Sequence, residues 1–107
     1  GLVDLAIDAF RNAIAHKPDY ADAHNNLGAA YIKKGFYEKA IDECLKAIRF
    51  NNRYKDAYYN LSAAYFNHKQ YDKALDASKR VLSMEPNHPG AHEIINLNQK
   101  KKGPAEK

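Results

Sequence analysis

The side chains best suited to chemistry here are His88, His92 and Glu93, the single Cys44, and two asparagines, Asn26 and Asn60. Histidines four apart can share one helical face and offer two imidazoles to a zinc ion. Pro89 and Gly90, however, set His88 ahead of the helix that carries His92, and no third ligand accompanies them. One cysteine excludes an internal disulfide and any thiolate-rich zinc site. Cys44 falls at a packing position with no cation to generate a thiolate, so it reads as an inert buried thiol. His16 and His68 fall near helix ends, where bonding to carbonyls explains them. The sequence has no glycine-rich phosphate loop, nucleophile elbow or metal-protease helix motif. No acid/base pair or nucleophile is proposed by the remaining residues. The expectation is a chain that is not an enzyme and takes no metal and no cofactor.

The asparagines are the informative pair. A carboxamide offers one acceptor and two donors, so it can grip the N–H and C=O of a peptide unit together. Asn26 and Asn60 stand 34 positions apart, and their surroundings repeat with them. Asp22-Ala23 recurs as Asp56-Ala57, Asn26-Leu27 as Asn60-Leu61, and Ala29-Ala30-Tyr31 as Ala63-Ala64-Tyr65. Tyr37, Lys39, Ala40 and Asp42 recur as Tyr71, Lys73, Ala74 and Asp76. A fixed period of this size marks stacked helical hairpins.

The pattern His24-x-x-Leu27-Gly28-x-x-Tyr31, then Ala40-x-x-x-Cys44 and Ala47, resembles the tetratricopeptide repeat. The second copy reads Tyr58-x-x-Leu61-Ser62-x-x-Tyr65 and Ala74-x-x-x-Ser78, closing on Pro86. No Trp opens either copy, Cys44 and Ser78 replace a usual aromatic, and Asn52 replaces the closing Pro. The resemblance implies an all-α, helical-hairpin repeat solenoid, a right-handed superhelix with two full repeats flanked by half-repeats. Residues 1–20 form the second helix of an incomplete repeat, 21–54 and 55–88 the full repeats, 89–101 a capping helix, and 102–107 a flexible basic tail.

Local signals place the helices at Leu2 to Ala15, Ala21–Lys34, Tyr37–Phe50, Asp56–His68, Tyr71–Met84 and Pro89 to Lys101. Pro18 ends the first, Gly35 permits a left-handed turn after the second, and Pro89 suits the first turn of the last. Gly28 against Ala40, and Ser62 against Ala74, let helix axes approach closely. Lys69 stands where Gly35 stood, which predicts a strained or differently capped turn. Asn96 and Gln99 replace the small and aromatic positions of the last helix, as a solvated end cap requires. Ala6 is still small, as if to receive a preceding helix. This reads as an excision from a longer array, and the bare first helix, Phe10 included, is expected to drive concentration-dependent self-association.

The net charge of +4 is concentrated at one end, since Lys100–Lys107 holds four Lys and one Glu, or +3, leaving +1 for the rest. Nucleic-acid binding needs a basic patch on the folded face, so none is expected. No apolar run approaches the length of a membrane span and no signal segment opens the chain; a cytoplasmic location is the default expectation.

In proteins of the resembled family, ligands lie along the concave face lined by the first helix of each hairpin. That maps here to Asp22, Asn25, Asn26, Ala29 and Lys33, and to Asp56, Tyr59, Asn60, Ala63 and Asn67. Asn26 and Asn60 either form a ladder for an extended peptide backbone or bond neighbouring helices and orient the stack. The chaperone-type carboxylate clamp is not matched, because Asn25 and Ala29 occupy its first Lys and Asn positions and Asp22 and Asp56 would repel a carboxylate. The expected function is a protein–protein interaction module that binds an extended peptide segment of a partner. The alternatives are a self-assembly module working through exposed helix ends and a scaffold segment of a larger enzyme.

Overall fold

The computed structural model describes residues 1–102, and every element among them is an α-helix. The helices are α1 (Leu2–His16), α2 (Ala21–Lys34), α3 (Tyr37–Phe50), α4 (Lys55–Asn67), α5 (Tyr71–Met84) and α6 (Pro89–Lys102). Compared with the sequence-based bounds, α1 and α6 each run one residue further and α4 begins and ends one residue earlier. Such shifts are the usual play of a helix terminus. Of the basic tail assigned to 102–107, only Lys102 falls within the described residues, at the end of α6. No helix among the described residues is long and apolar enough to cross a membrane.

Two kinds of turn alternate. Inside each hairpin the chain reverses through a left-handed residue, Gly35 at φ 79° and Lys69 at φ 64°. The flanking bonds coincide: Gly35 N–H donates to Ile32 and Phe36 N–H to Tyr31, as Lys69 does to Phe66 and Gln70 to Tyr65. These satisfy helix-end carbonyls that would otherwise be orphaned. Lys69 therefore adopts the strained geometry that its register predicts. Between hairpins a three-residue return recurs, with Tyr20, Tyr54 and His88 donating to the carbonyls of Lys17, Asn51 and Glu85.

α2 and α3 pack closely at Gly28. A Cβ there would stand 2.7 Å from Cys44 Sγ and 3.3 Å from the Ala40 carbonyl oxygen, so only hydrogen leaves room. Ala40, Cys44 and Ala47 are wholly buried on the facing helix. The second hairpin repeats the crossing with Ser62, Ala74 and Ser78, all fully buried. The Ser62 hydroxyl donates to the Tyr59 carbonyl at 2.7 Å, whereas the Ser78 hydroxyl has no partner among the described residues. Around the crossings lie Leu27, Tyr31, Ile41 and Leu61.

Three helices make one wall. α2 touches α4 and α4 touches α6, whereas α1, α3 and α5 do not touch one another. The even-numbered helices thus close on the inner side and the odd-numbered ones fan out, which curves the stack. The resulting body measures 50 × 28 × 19 Å, longer in one direction as a solenoid should be.

The ends differ. α6 buries Ala91, Ile94 and Asn98, and the Asn98 amide donates to the Tyr71 carbonyl at 2.9 Å. Asn96 and Gln99 face solvent. At the other end Leu2 is 85% and Leu5 66% exposed.

Exchanging the turn residues should produce opposite effects. Lys69→Gly is expected to stabilise, and Gly35→Lys to destabilise, each by about 1 kcal/mol, read as shifts in the urea unfolding midpoint.

Candidate functional site

One bond ties each hairpin to the turn before it. The residue at the fourth position of every even-numbered helix reaches back six residues to a turn carbonyl. His24 Nε2 bonds Pro18 O at 2.7 Å, the Tyr58 hydroxyl bonds Asn52 O at 3.2 Å, and His92 Nε2 bonds Pro86 O at 2.8 Å. A carbonyl only accepts, so each histidine Nε2 donates. His24 is also 2.7 Å from Glu43 through Nδ1 and is stacked with Phe50, its ring centroid 5.6 Å away. His92 is thus occupied in a turn brace. His88 does different work, accepting the Ala91 backbone N–H on Nδ1 at 3.0 Å at the start of α6. Among the described residues no group of three His, Cys, Asp or Glu could hold a metal.

The concave wall carries a polar chain that crosses between repeats. The Asn60 amide donates to Asn25 Oδ1 at 2.8 Å, and the Asn25 amide donates to the Tyr54 hydroxyl at 3.3 Å. Burial, and then the Asp22 carboxylate beside it, push the Tyr54 hydroxyl up to about 12. Asn25 is buried, as a doubly bonded amide can be, while Asn60 is half-buried and its own carbonyl has no hydrogen-bond partner among the described residues.

The ten residues assigned to the face from sequence divide into four groups. Asn25 and Tyr59 are structural: Tyr59 packs on His88 at 4.9 Å between centroids, and a Cβ at Gly90 would fall 2.5 Å from the Tyr59 ring. Asn26, Ala29 and Lys33 line a groove that α2 forms with Leu2, Val3, Ala6 and Phe10 of α1. Asn60 is joined to α2 by its bond to Asn25, and Ala63 lies one turn further along α4. Asp22 and Asp56 are exposed, and Asn67 is an exposed residue whose amide bonds the Ala63 carbonyl of its own helix at 2.8 Å. Asn26 and Asn60 therefore occupy unlike settings, one open and one bonded across the stack. Sequence reasoning missed Tyr54 and the braces at positions 24, 58 and 92; their constant separation from residues 18, 52 and 86 was the available signal.

Cys44 is fully buried, and burial followed by the Glu43 charge pushes its thiol up to about 12. Such a group is a packing element and no nucleophile.

Comparisons with known proteins agree with this architecture. A model described as TPR repeat matches residues 1–35, and one described as Tetratricopeptide repeat matches 21–54 and 55–88. Among solved structures, MamA superposes with a TM-score of 0.90 at 32% identity, over 96% of this chain and 60% of that one. The chain thus spans about three-fifths of the MamA chain it matches. The first TPR of Spaghetti (RPAP3), bound to the HSP90 peptide SRMEEVD, superposes with a TM-score of 0.92 at 27% identity, covering 94% and 80% of the two chains. The second TPR domain of human RPAP3, in complex with the HSP70 peptide SGPTIEEVD, gives 0.86 at 25% identity over 90% and 80%. A comparison with curated protein sequences gives no match.

The two raised groups set the alkaline behaviour. Unfolded, Cys44 and Tyr54 ionise near their ordinary values of 9 and 10; folded, both hold their protons to about 12. Across that interval the unfolded chain binds fewer protons, so stability falls as pH rises. Urea midpoints measured between these limits should decline, and less steeply at the lower end in Cys44→Ala.

Proposed function

The chain belongs to the tetratricopeptide repeat family, and from that premise we propose that it binds an extended segment of a partner protein along the wall of α2, α4 and α6. It acts as a protein–protein interaction module, holding its partner without chemistry. The observation that carries this reading is the half-spent amide of Asn60. One of its N–H groups is fixed by Asn25, which sets the plane of the amide, and its carbonyl stays unspent beside the small Ala63. A preset amide loses little freedom when it takes a peptide N–H, so its bond contributes more than a mobile side chain's would.

Charge distinguishes the ligand from those of its relatives. The peptides in the two RPAP3 complexes, SRMEEVD and SGPTIEEVD, are acidic. Here Asp22 and Asp56 stand exposed on the same wall. They favour a segment with some positive charge, although exposed pairs contribute little individually. Asn26, exposed at the position equivalent to Asn60 one repeat earlier, would add a second amide to the ladder.

An unbiased peptide-library screen tests the proposal. Wild type should select extended peptides low in acidic residues. Asn60→Ala should weaken them by about 1 kcal/mol, and adding Asn26→Ala should weaken them further. Selected peptides whose affinity is unchanged in the double variant would remove the asparagines from the mechanism.

A further inference from the structure

On the outer side of the stack two grooves occupy equivalent places. One lies over α2 and α3 with α1 as a further wall, and the other lies between α4 and α5. Leu27 and Tyr31 of the first recur as Leu61 and Tyr65 of the second, but His24 becomes Tyr58, Glu43 becomes Ala77 and Lys46 becomes Arg80. The first groove holds a carboxylate of its own. Glu43, its side chain only 14% exposed, bonds His24 Nδ1 at 2.7 Å and bridges Lys46 at 3.5 Å. The second groove has no such acid. Arg80 finds Ala77 in its place and lies over the Tyr58 ring instead, 5.3 Å from the centroid. The space is larger accordingly, about 390 Å³ against about 320 Å³.

We infer that the groove between α4 and α5 is a docking site for a glutamate-bearing segment of a partner protein, whose carboxylate takes on Arg80 the place that Glu43 takes on Lys46. Charge favours an acid there. Lys73 and Asp76 on the rim balance each other, which leaves Arg80 in surplus. Arg49 stands at the register position of Ala15, which lines the first groove, and adds a second guanidinium on α3. A guanidinium can hold a carboxylate through two parallel N–H bonds, which a lysine cannot. The Tyr58 hydroxyl is spent on the Asn52 carbonyl, so its ring, with Tyr65, offers an apolar floor for a residue beside the glutamate. Glutamate is preferred to aspartate because the partner's backbone must lie outside α5, further from the floor than a side chain rooted on it.

This site is separate from the concave wall. Tyr58, Leu61 and Tyr65 stand on the side of α4 opposite Asn60 and Ala63. α3, α4 and α5 are consecutive helices, so the opening comes from the exchange of Glu43 for Ala77.

Three capped heptapeptides test the inference. They share the sequence Gly-Ser-Leu-Glu-Leu-Ser-Gly, with Glu replaced by Gln in the second and by Lys in the third. Each is titrated into the labelled full chain at low ionic strength and followed by backbone amide shifts. The glutamate peptide should move Ala77 and Arg80 and bind several-fold more tightly than the glutamine peptide, because exposed pairs are weak but unscreened there. Arg80→Glu should transfer the preference to the lysine peptide, a result no loss of folding can mimic. Ala77→Glu, which restores an internal acid, should weaken the glutamate peptide about tenfold or more, while Asn60→Ala should leave it unchanged. With no peptide present, Ala77→Glu should unfold at higher urea than Ala77→Gln, and adding Arg80→Gln should erase that difference. Equal affinity for the glutamate and glutamine peptides, no binding, or shifts centred on Asn60 and Ala63 would overturn the proposal. So would an Ala77→Glu variant whose stability is indifferent to Arg80.

Discussion

The approach of α2 to α3 at Gly28 governs the rest of the structure. With no Cβ at that point, the Ala40 carbonyl and Cys44 sulfur come within contact distance of the facing backbone. The axes can then lie close enough for Leu27 and Tyr31 to be buried at their own ends of the same interface. Ser62, with Ala74 and Ser78 opposite, keeps the second hairpin in the same geometry. Because both hairpins have one shape, α2, α4 and α6 line up along one face of the stack.

Polar bonds fix the step where apolar packing alone would leave it loose. His24, Tyr58 and His92 each close a turn onto a carbonyl six residues back. The chain from Asn60 through Asn25 to Tyr54 then spans neighbouring repeats on the inner wall. Such bonds add little net stability, but leaving their buried members unpaired would be costly, so they select one arrangement over its neighbours. The groups that orient the stack and the Asn60 amide proposed to meet a ligand are therefore parts of the same chain.

Much of this was legible in the residues. The 34-residue period announced the hairpins, Gly28 facing Ala40 announced the crossing, and Lys69 in the place of Gly35 announced a strained turn. The candidate face was less legible. Periodicity says which positions are equivalent, whereas a side chain's partner depends on the rotation between neighbouring helices. Asn60 pairs with Asn25, one residue off the repeat, and not with its equivalent Asn26. Tyr59 sits at an accessible position by register, yet Gly90 makes space that draws its ring into the next repeat. Asn26 is exposed in the groove formed by α1 and α2, whereas Asn60 is half-buried and bonded across the stack.

The side-chain amide resonances of labelled protein, followed while a library-selected peptide is added, test the central claim most directly. The account predicts that the Asn60 amide shifts together with the backbone of Ala63 and Asn67, while the Asn25 amide keeps its position as a structural link. Shifts confined to α3 and α5, with Asn60 unmoved, would contradict recognition on the concave wall.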